Sequence, residues 1–271
     1  MNGERQPDVE ALVDPVVGIV RDAAEAILRI YAAAEIATTK KSDASPLTEA
    51  DLASHELIVR GLSALTPGVP VLSEEASAIA YSVRRRWPEF WLVDPLDGTK
   101  EFVARNGEFT INVALIAGHD PVLGVVGVPA RDVIYAGAPG RGASRLDGSG
   151  TRRRIETRRP AATPIRVVGS RSHQDAALGT VLAKLGPHEL VAIGSALKFC
   201  IVAEGGADFY PRLGPTSEWD TAAAHAVLVA AGGEVVSLDG PPLRYNARES
   251  LLNPAFLAYG DPSRDWLRQI R

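Results

Sequence analysis

The chain has 271 residues, of which 46% are hydrophobic and 23% charged, with a formal net charge of −4. Its mean hydropathy of +0.02 fits a globular protein and excludes a disordered one. The mild acidity excludes a global basic field for nucleic acid, and Cys200, the only cysteine, excludes an internal disulfide. A chain this long can bury a large core and divide into two lobes.

The first element is a helix, marked by a stripe of Val13, Val16, Val17, Val20, Ala24, Ile27, Ile30 and Tyr31. It is amphipathic and broken by charge, so it is not a transmembrane span, and no signal peptide is expected. The cytoplasm is the default location, with peripheral association at the inner membrane as the remaining option. A polar loop, Lys40 to Ser45, precedes a second helix over 48–65. Thr48 is placed to cap it, Asp51 falls in its first turn, and Leu52, Leu57 or Ile58, Leu62 and Leu65 form a loose stripe. Strands follow at about 69–73, 90–94, 109–117, 121–128 and 132–137. Asp147-Gly148-Ser149-Gly150 reads as a hairpin tip. Residues 151–160 are rich in arginine; Arg152, Arg153, Arg154, Arg158 and Arg159 could attract anions, but a solvated edge guarded by charge is the better reading. Beyond Pro164 strands and helices alternate: strand 165–169, helix 174–185, strand 190–193, helix 195–204, strand 207–212 and helix 220–231. Cys200 lies in an apolar run, as a small buried residue does. The pattern implies an α+β lobe over 1–162 and an α/β lobe over 163–271.

Chemistry concentrates at Trp91-Leu92-Val93-Asp94-Pro95-Leu96-Asp97-Gly98-Thr99. An apolar strand delivers Asp94, and Pro95 then forces a turn. Gly98 permits tight backbone geometry. Such a turn can aim Asp94, the Leu96 carbonyl and Asp97 at one volume, an oxygen set suited to Mg²⁺ beside a phosphate. Two carboxylates this close repel one another unless a cation lies between them. An Asx-type turn is the plainer use of the same residues. Glu74-Glu75 follows another short strand; if strand geometry continues, only one of the two can face the metals. Taken alone it is equally a solvated acidic turn. Asp220 opens a helix, where it can cap and ligate together. For Asp51, spacing favours capping over chemistry. His55, His119, His188 and His225 show no metal-ligand spacing.

These segments, taken together, resemble the inositol monophosphatase superfamily of Mg²⁺-dependent, lithium-sensitive phosphatases. Ser45-Pro46-Leu47-Thr48-Glu49-Ala50-Asp51, Asp97-Gly98-Thr99-Lys100-Glu101-Phe102 and Asn106-Gly107-Glu108-Phe109-Thr110 are similar to its 3′(2′),5′-bisphosphate nucleotidases. So are Ser170-Arg171-Ser172-His173, Gly194-Ser195-Ala196-Leu197-Lys198-Phe199-Cys200 and Tyr210-Pro211-Arg212. The resemblance runs from about residue 14 to 258. It implies a layered α-β-α-β-α sandwich and hydrolysis of 3′-phosphoadenosine 5′-phosphate (PAP) to AMP and phosphate, with the sulfate donor PAPS as a second substrate. It further implies two or three Mg²⁺ ions: Glu74, Asp94 and the Leu96 carbonyl on one, Asp94, Asp97 and Asp220 on another. Asp51 and Thr99 would orient or deprotonate the attacking water, with Glu74 in the same catalytic group and Glu75 in support. The Gly98 and Thr99 N–H groups would hold the scissile phosphate, and Ser195, Lys198, Arg212 and His173 the nucleotide. On the residues alone, Lys198 reads as a surface lysine and Arg212 as a partner of Asp208 or Glu218. The rival functions are a sugar phosphatase of the same superfamily and a non-catalytic PAP sensor; a nucleic-acid partner is not expected, since no aromatics interleave the arginines.

Overall fold

The structure, a computed structural model, describes residues 8–33, 38–40, 46–169 and 176–271. Helix α1, Val9–Tyr31, opens on Asp8, whose side chain accepts the Glu10 N–H. A short ribbon of β1, Thr38–Lys40, and β2, Pro46–Thr48, leads into α2, Glu49–Leu65. The buried face of α2 is Ala50, Asp51, Ser54, Ile58 and Leu62, so the expected stripe is rotated: Leu52 is exposed. Two polar residues take core positions because each has hydrogen-bond partners there: Asp51 with Thr48 and Thr99, and Ser54 with the Pro95 carbonyl.

The first sheet has seven strands in chain order: β3, Val71–Ser73; β4, Glu89–Asp97; β5, Thr110–Ala117; β6, Asp120–Val128; β7, Val133–Ala138; β8, Gly142–Asp147; and β9, Arg152–Ile155. Only β3 and β4 pair in parallel; the remainder is an antiparallel meander. Helices α3, Tyr81–Arg84, and α4, Thr99–Val103, flank β4. The arginines of β9 guard an outer edge as expected. Each is engaged within the protein: Arg152 with Asp14, Arg153 with Glu204 at 3.1 Å and Arg154 with Glu156 at 3.0 Å. Beyond the strand, Arg158 donates to the Gly205 carbonyl at 2.7 Å.

The second sheet is mixed. It comprises β10, Ile165–Gly169; β11, His188–Ala192; β12, Phe209–Arg212; β13, Glu234–Ser237; and β14, Phe256–Tyr259, in the order β11-β10-β12-β14-β13. Its helices are α5, Ala176–Leu185; α6, Leu197–Ala203; α7, Ala222–Ala230; and α8, Trp266–Ile270.

Strand periodicity explains the layering. Alternate residues of the first sheet face opposite ways: Trp91, Val93, Ile111 and Val113 pack under α1 and α2, while Phe90, Leu92, Ala114 and Ile116 face α6, α7 and the second sheet. The far side of the second sheet, with Val167, Phe209 and Leu257, is covered by α5 and α8. The result is the α-β-α-β-α sandwich. Helix α7 approaches β6 so closely that a Cβ at Gly124 would lie 2.0 Å from the Ala223 carbonyl oxygen. The alanines 222–224 and 226 permit that approach. Among the described residues, no helix is long and apolar enough to cross a membrane.

Candidate active site

The two aspartates of β4 are three residues apart and would face opposite ways on a regular strand. They do not, because Asp94 lies opposite Asn112 and Asp97 opposite Thr110: three steps on β4 match two on β5. The extra residue is a bulge, and the strand runs on through it instead of ending at Asp94. Pro95 is tolerated there because the ladder is interrupted. The Pro95 carbonyl accepts the Ser54 hydroxyl at 2.8 Å, and Asp94 Oδ1 accepts the Leu96 N–H at 3.0 Å. The Asx turn is therefore real, and it aims the carboxylate rather than replacing its chemistry. Gly98 follows at φ +90°, a left-handed conformation that a side chain would strain.

Glu74 reaches the same place by another route. Strand β3 ends in register with β4, Ser73 beside Val93, so Glu74 arrives beside Asp94. The chain then enters a 3-10 turn over Glu74–Ala76, so strand alternation does not govern the Glu pair. Burial, then Glu74, Asp97 and Asp220, hold the Asp94 carboxyl well above the usual carboxylate range. Asp220 ends a 3-10 turn, Glu218–Asp220, capped by Ser217, whose N–H donates to Asp220 Oδ2 at 2.9 Å. Its carboxyl is pushed up to about 8, by burial first and then by Asp97, against the pull of Arg212. Asp94, Asp97 and Asp220 each bring one oxygen to within 4.8 Å of the others. Three such carboxylates form an oxygen-only donor set with too little positive charge of its own, and a hard divalent cation fits it.

Asp51 does two things at once. Its Oδ2 accepts the Thr48 N–H at 2.8 Å and the Thr48 hydroxyl at 2.6 Å, closing a capping box on α2. Its Oδ1 accepts the Thr99 hydroxyl at 3.3 Å, and that hydroxyl also lies 3.4 Å from the Leu96 carbonyl oxygen.

The second sheet contributes the opposite wall. Asp97 Oδ2 accepts the Ser195 hydroxyl, the Ala196 N–H at 2.7 Å and the Thr110 hydroxyl at 3.4 Å. Ser195 itself is left-handed at φ +55°, and Glu108 Oε2 holds the adjoining Gly194 N–H at 2.9 Å. Thr110 and Glu108 were not singled out individually by sequence reasoning; their signal was the Asn106–Thr110 motif that contains both. Lys198 is buried, not a surface lysine: its Nζ donates to the Ser195 carbonyl at 2.7 Å and lies 5.5 Å from the Tyr210 ring centre. Burial lowers its ammonium to about 8, Asp97 opposing and Arg212 assisting. Arg212 donates to the carbonyls of Gly214 at 3.2 Å and Pro215 at 2.8 Å. It pairs with neither expected acid: Asp208 accepts the N–H groups of Ala162 and Arg166, and Glu218 that of Asn246. Asp97, Gly98, Ser195, Lys198, Arg212 and Asp220 line one cavity of about 200 Å³. His173 lies outside the described residues.

The family model of the inositol monophosphatase family matches residues 8–262. The chain belongs to this family. Within it, the chain is of the CysQ-type 3′(2′),5′-bisphosphate nucleotidases. It is 50% identical over 246 residues to the 3′(2′),5′-bisphosphate nucleotidase CysQ of Escherichia coli (strain K12), covering 90% of this chain and 98% of that one. Against the nucleotidase of the same name from Buchnera aphidicola, identity is 40% over 250 residues, covering 91% and 93%. The crystal structure of CysQ from Bacteroides thetaiotaomicron superposes with a TM-score of 0.82 at 41% identity, covering 94% of this chain and 99% of that one. An inositol monophosphatase from Anabaena, at 23% identity and a TM-score of 0.75, shares the fold, covering 97% and 96%.

Proposed function

We propose that the chain removes the 3′-phosphate of PAP, giving AMP and phosphate, and acts on PAPS to give APS. One observation carries this reading: the cavity that holds Asp97 and Asp220 also holds Lys198 and Arg212. A carboxylate cluster needs a cation, and two cationic side chains on the facing wall suit a substrate with a second phosphate. An inositol monophosphate would leave part of that positive charge unanswered.

The metal assignment follows from the donor set. Glu74, Asp94 and the Leu96 carbonyl would hold one Mg²⁺, and Asp94, Asp97 and Asp220 a second, with Asp94 shared. Bound Mg²⁺ supplies Lewis-acid activation of the water and charge neutralisation at the leaving oxygen. The remaining work belongs to the chain. Thr99 orients the attacking water, and Asp51, hydrogen-bonded to the Thr99 hydroxyl, draws the proton away. The Gly98 and Thr99 N–H groups would hold the scissile phosphate. Lys198 and Arg212 orient the nucleotide, together with Ser195 and His173. Ser195 also fixes Asp97 through its hydroxyl. The division at residues 162/163 would then separate most of the metal ligands from the nucleotide wall and Asp220.

The test is phosphate release from PAP and from inositol 1-phosphate, side by side, with Mg²⁺, with Mg²⁺ plus Li⁺, and with EDTA. A strong preference for PAP, abolished by EDTA and reduced by Li⁺, is expected. Preference for inositol 1-phosphate would overturn the roles of Ser195, Lys198 and Arg212 and keep the metal site.

A further inference from the structure

The segment that carries Glu74 and the segment that carries Asp220 are both gripped by one loop, residues 246–249. Arg84, at the end of α3 and ten residues after Glu74, is buried at 2% exposure. Its guanidinium donates to the Asn246 side-chain carbonyl, to the Arg248 carbonyl and to the Glu249 carbonyl. The Asn246 amide returns a bond to the Arg84 carbonyl at 2.7 Å. Asn246 is left-handed at φ +52° and 1% exposed. Its own N–H donates to Glu218 Oε2 at 2.7 Å. Glu218 is fully buried and opens the turn that presents Asp220. A continuous hydrogen-bonded strut, Arg84–Asn246–Glu218, thus connects α3, which follows the Glu74 turn in the chain, to the turn that ends in Asp220.

This strut is an expensive way to gain stability. Arg84 Nε and Glu218 Oε1 are buried without a hydrogen-bond partner. A half-satisfied buried charge network stabilises less than apolar packing of the same volume. What the network does provide is direction: a planar guanidinium, a fixed amide and a carboxylate impose one distance and one angle.

We infer that Arg84, Asn246 and Glu218 are positioning residues, and that their strut sets Asp220 relative to Glu74 and so governs divalent metal affinity. The inference rests on the metal-site reading above. Groups bonded directly to metal ligands control affinity about tenfold to a hundredfold; the strut acts one step further out, through the backbone that carries Asp220.

The experiment titrates Mn²⁺ into the full-length protein by calorimetry and follows PAP hydrolysis against Mg²⁺ concentration. Three variants serve. Asn246→Gly keeps the left-handed backbone and loses both side-chain bonds. Asn246→Asp keeps the acceptor for Arg84 and loses the amide donor. Arg84→Lys keeps the charge and loses the fork. Asn246→Gly and Arg84→Lys are expected to weaken Mn²⁺ binding by about tenfold or more, to shift the Mg²⁺ activation midpoint equally, and to leave the KM for PAP at saturating Mg²⁺ unchanged. Asn246→Asp should fall between them and the wild type. If Arg84→Lys fails to fold, Asn246→Gly alone decides. A folded Asn246→Gly protein with wild-type Mn²⁺ affinity overturns the inference, even if its melting temperature in EDTA is lowered, because the strut would then be structural only. A wild-type protein that binds no Mn²⁺ or Mg²⁺ would instead overturn the metal site itself.

Discussion

Asp94 has almost no solvent, 1% exposure, and three carboxylates around it. In a metal-free protein this is a destabilising arrangement, since each ionised neighbour resists the next. Asp94→Asn should therefore raise the melting temperature in EDTA while abolishing turnover and metal-dependent stabilisation. Near-normal phosphate release from a folded, Mg²⁺-saturated Asp94→Asn protein would contradict its proposed shared role. Lys198 gives a second test at the same scale. Its ammonium is lowered to about 8 by burial, so its positive charge is present below that pH and lost above it. Binding of an anionic substrate should weaken in the same direction. The kcat/KM for PAP is expected to fall by up to about tenfold per pH unit above 8 in the wild type. Lys198→Arg stays charged across that range and should flatten the alkaline limb. A wild-type profile that stays level to pH 9.5 would count against a role for the Lys198 charge.

At the scale of elements, the site depends on how tightly α7 lies on the first sheet. Asp220 stands at the head of that helix, so any displacement of α7 moves a proposed ligand. Gly124 on β6 has no room for a methyl group, because the obstacle is the backbone carbonyl of Ala223 and not a flexible side chain. Gly124→Ala should destabilise the protein by about 1–3 kcal/mol, or more if α7 cannot shift. Urea denaturation measures this directly. Unchanged stability would mean that helix and sheet separate freely, and the fixed placement of Asp220 would lose its structural basis. Strand β4 makes the complementary contribution: its bulge turns Asp94 and Asp97 to one side, where a regular strand would have divided them.

At the scale of the whole molecule, the proposed metal site joins the first sheet to the helix layer beside it. Asp94 and Asp97 belong to that sheet, while Asp220 precedes α7, so a cation held there would connect parts of the chain more than a hundred residues apart. A ligand that binds only the folded state at a hundred times its Kd adds about 2.7 kcal/mol. For a protein of this size that corresponds to roughly 5–10 °C. Transfer from saturating Mg²⁺ to EDTA should lower the melting temperature by that amount in differential scanning calorimetry. A shift of less than one degree would indicate that the cluster binds no cation strongly. The expected loss should shrink in Asp94→Asn, which removes both the repulsion and the site.

The sequence by itself determined most of the elements and the chemical character of the site. Both long helices, the first five strands of the first sheet and the strand–helix alternation after Pro164 follow from apolar period, and their locations rest on local signals that survive folding: alternation, caps, glycine and proline; β8, Gly142–Asp147, was not among the expected strands. The acidic motif around Asp94 and Asp97 was legible because so many carboxylates beside a buried strand have few other uses. Tertiary structure decided the rest, because the deciding contacts join residues distant in the chain. Leu52 faces solvent because α2 turns Asp51 and Ser54 inward, to Thr99 and the Pro95 carbonyl. Lys198 is buried because α6 lies between two sheets, a placement that its neighbours in sequence do not encode. Arg212 avoids Asp208 and Glu218 because backbone N–H groups already hold both acids. The Arg84–Asn246–Glu218 strut was invisible in one dimension, since its members are 162 and 28 residues apart and each alone is an ordinary polar residue. Spacing along a chain reports which groups share a strand or a helix; only the packing of layers reports which groups share a charge.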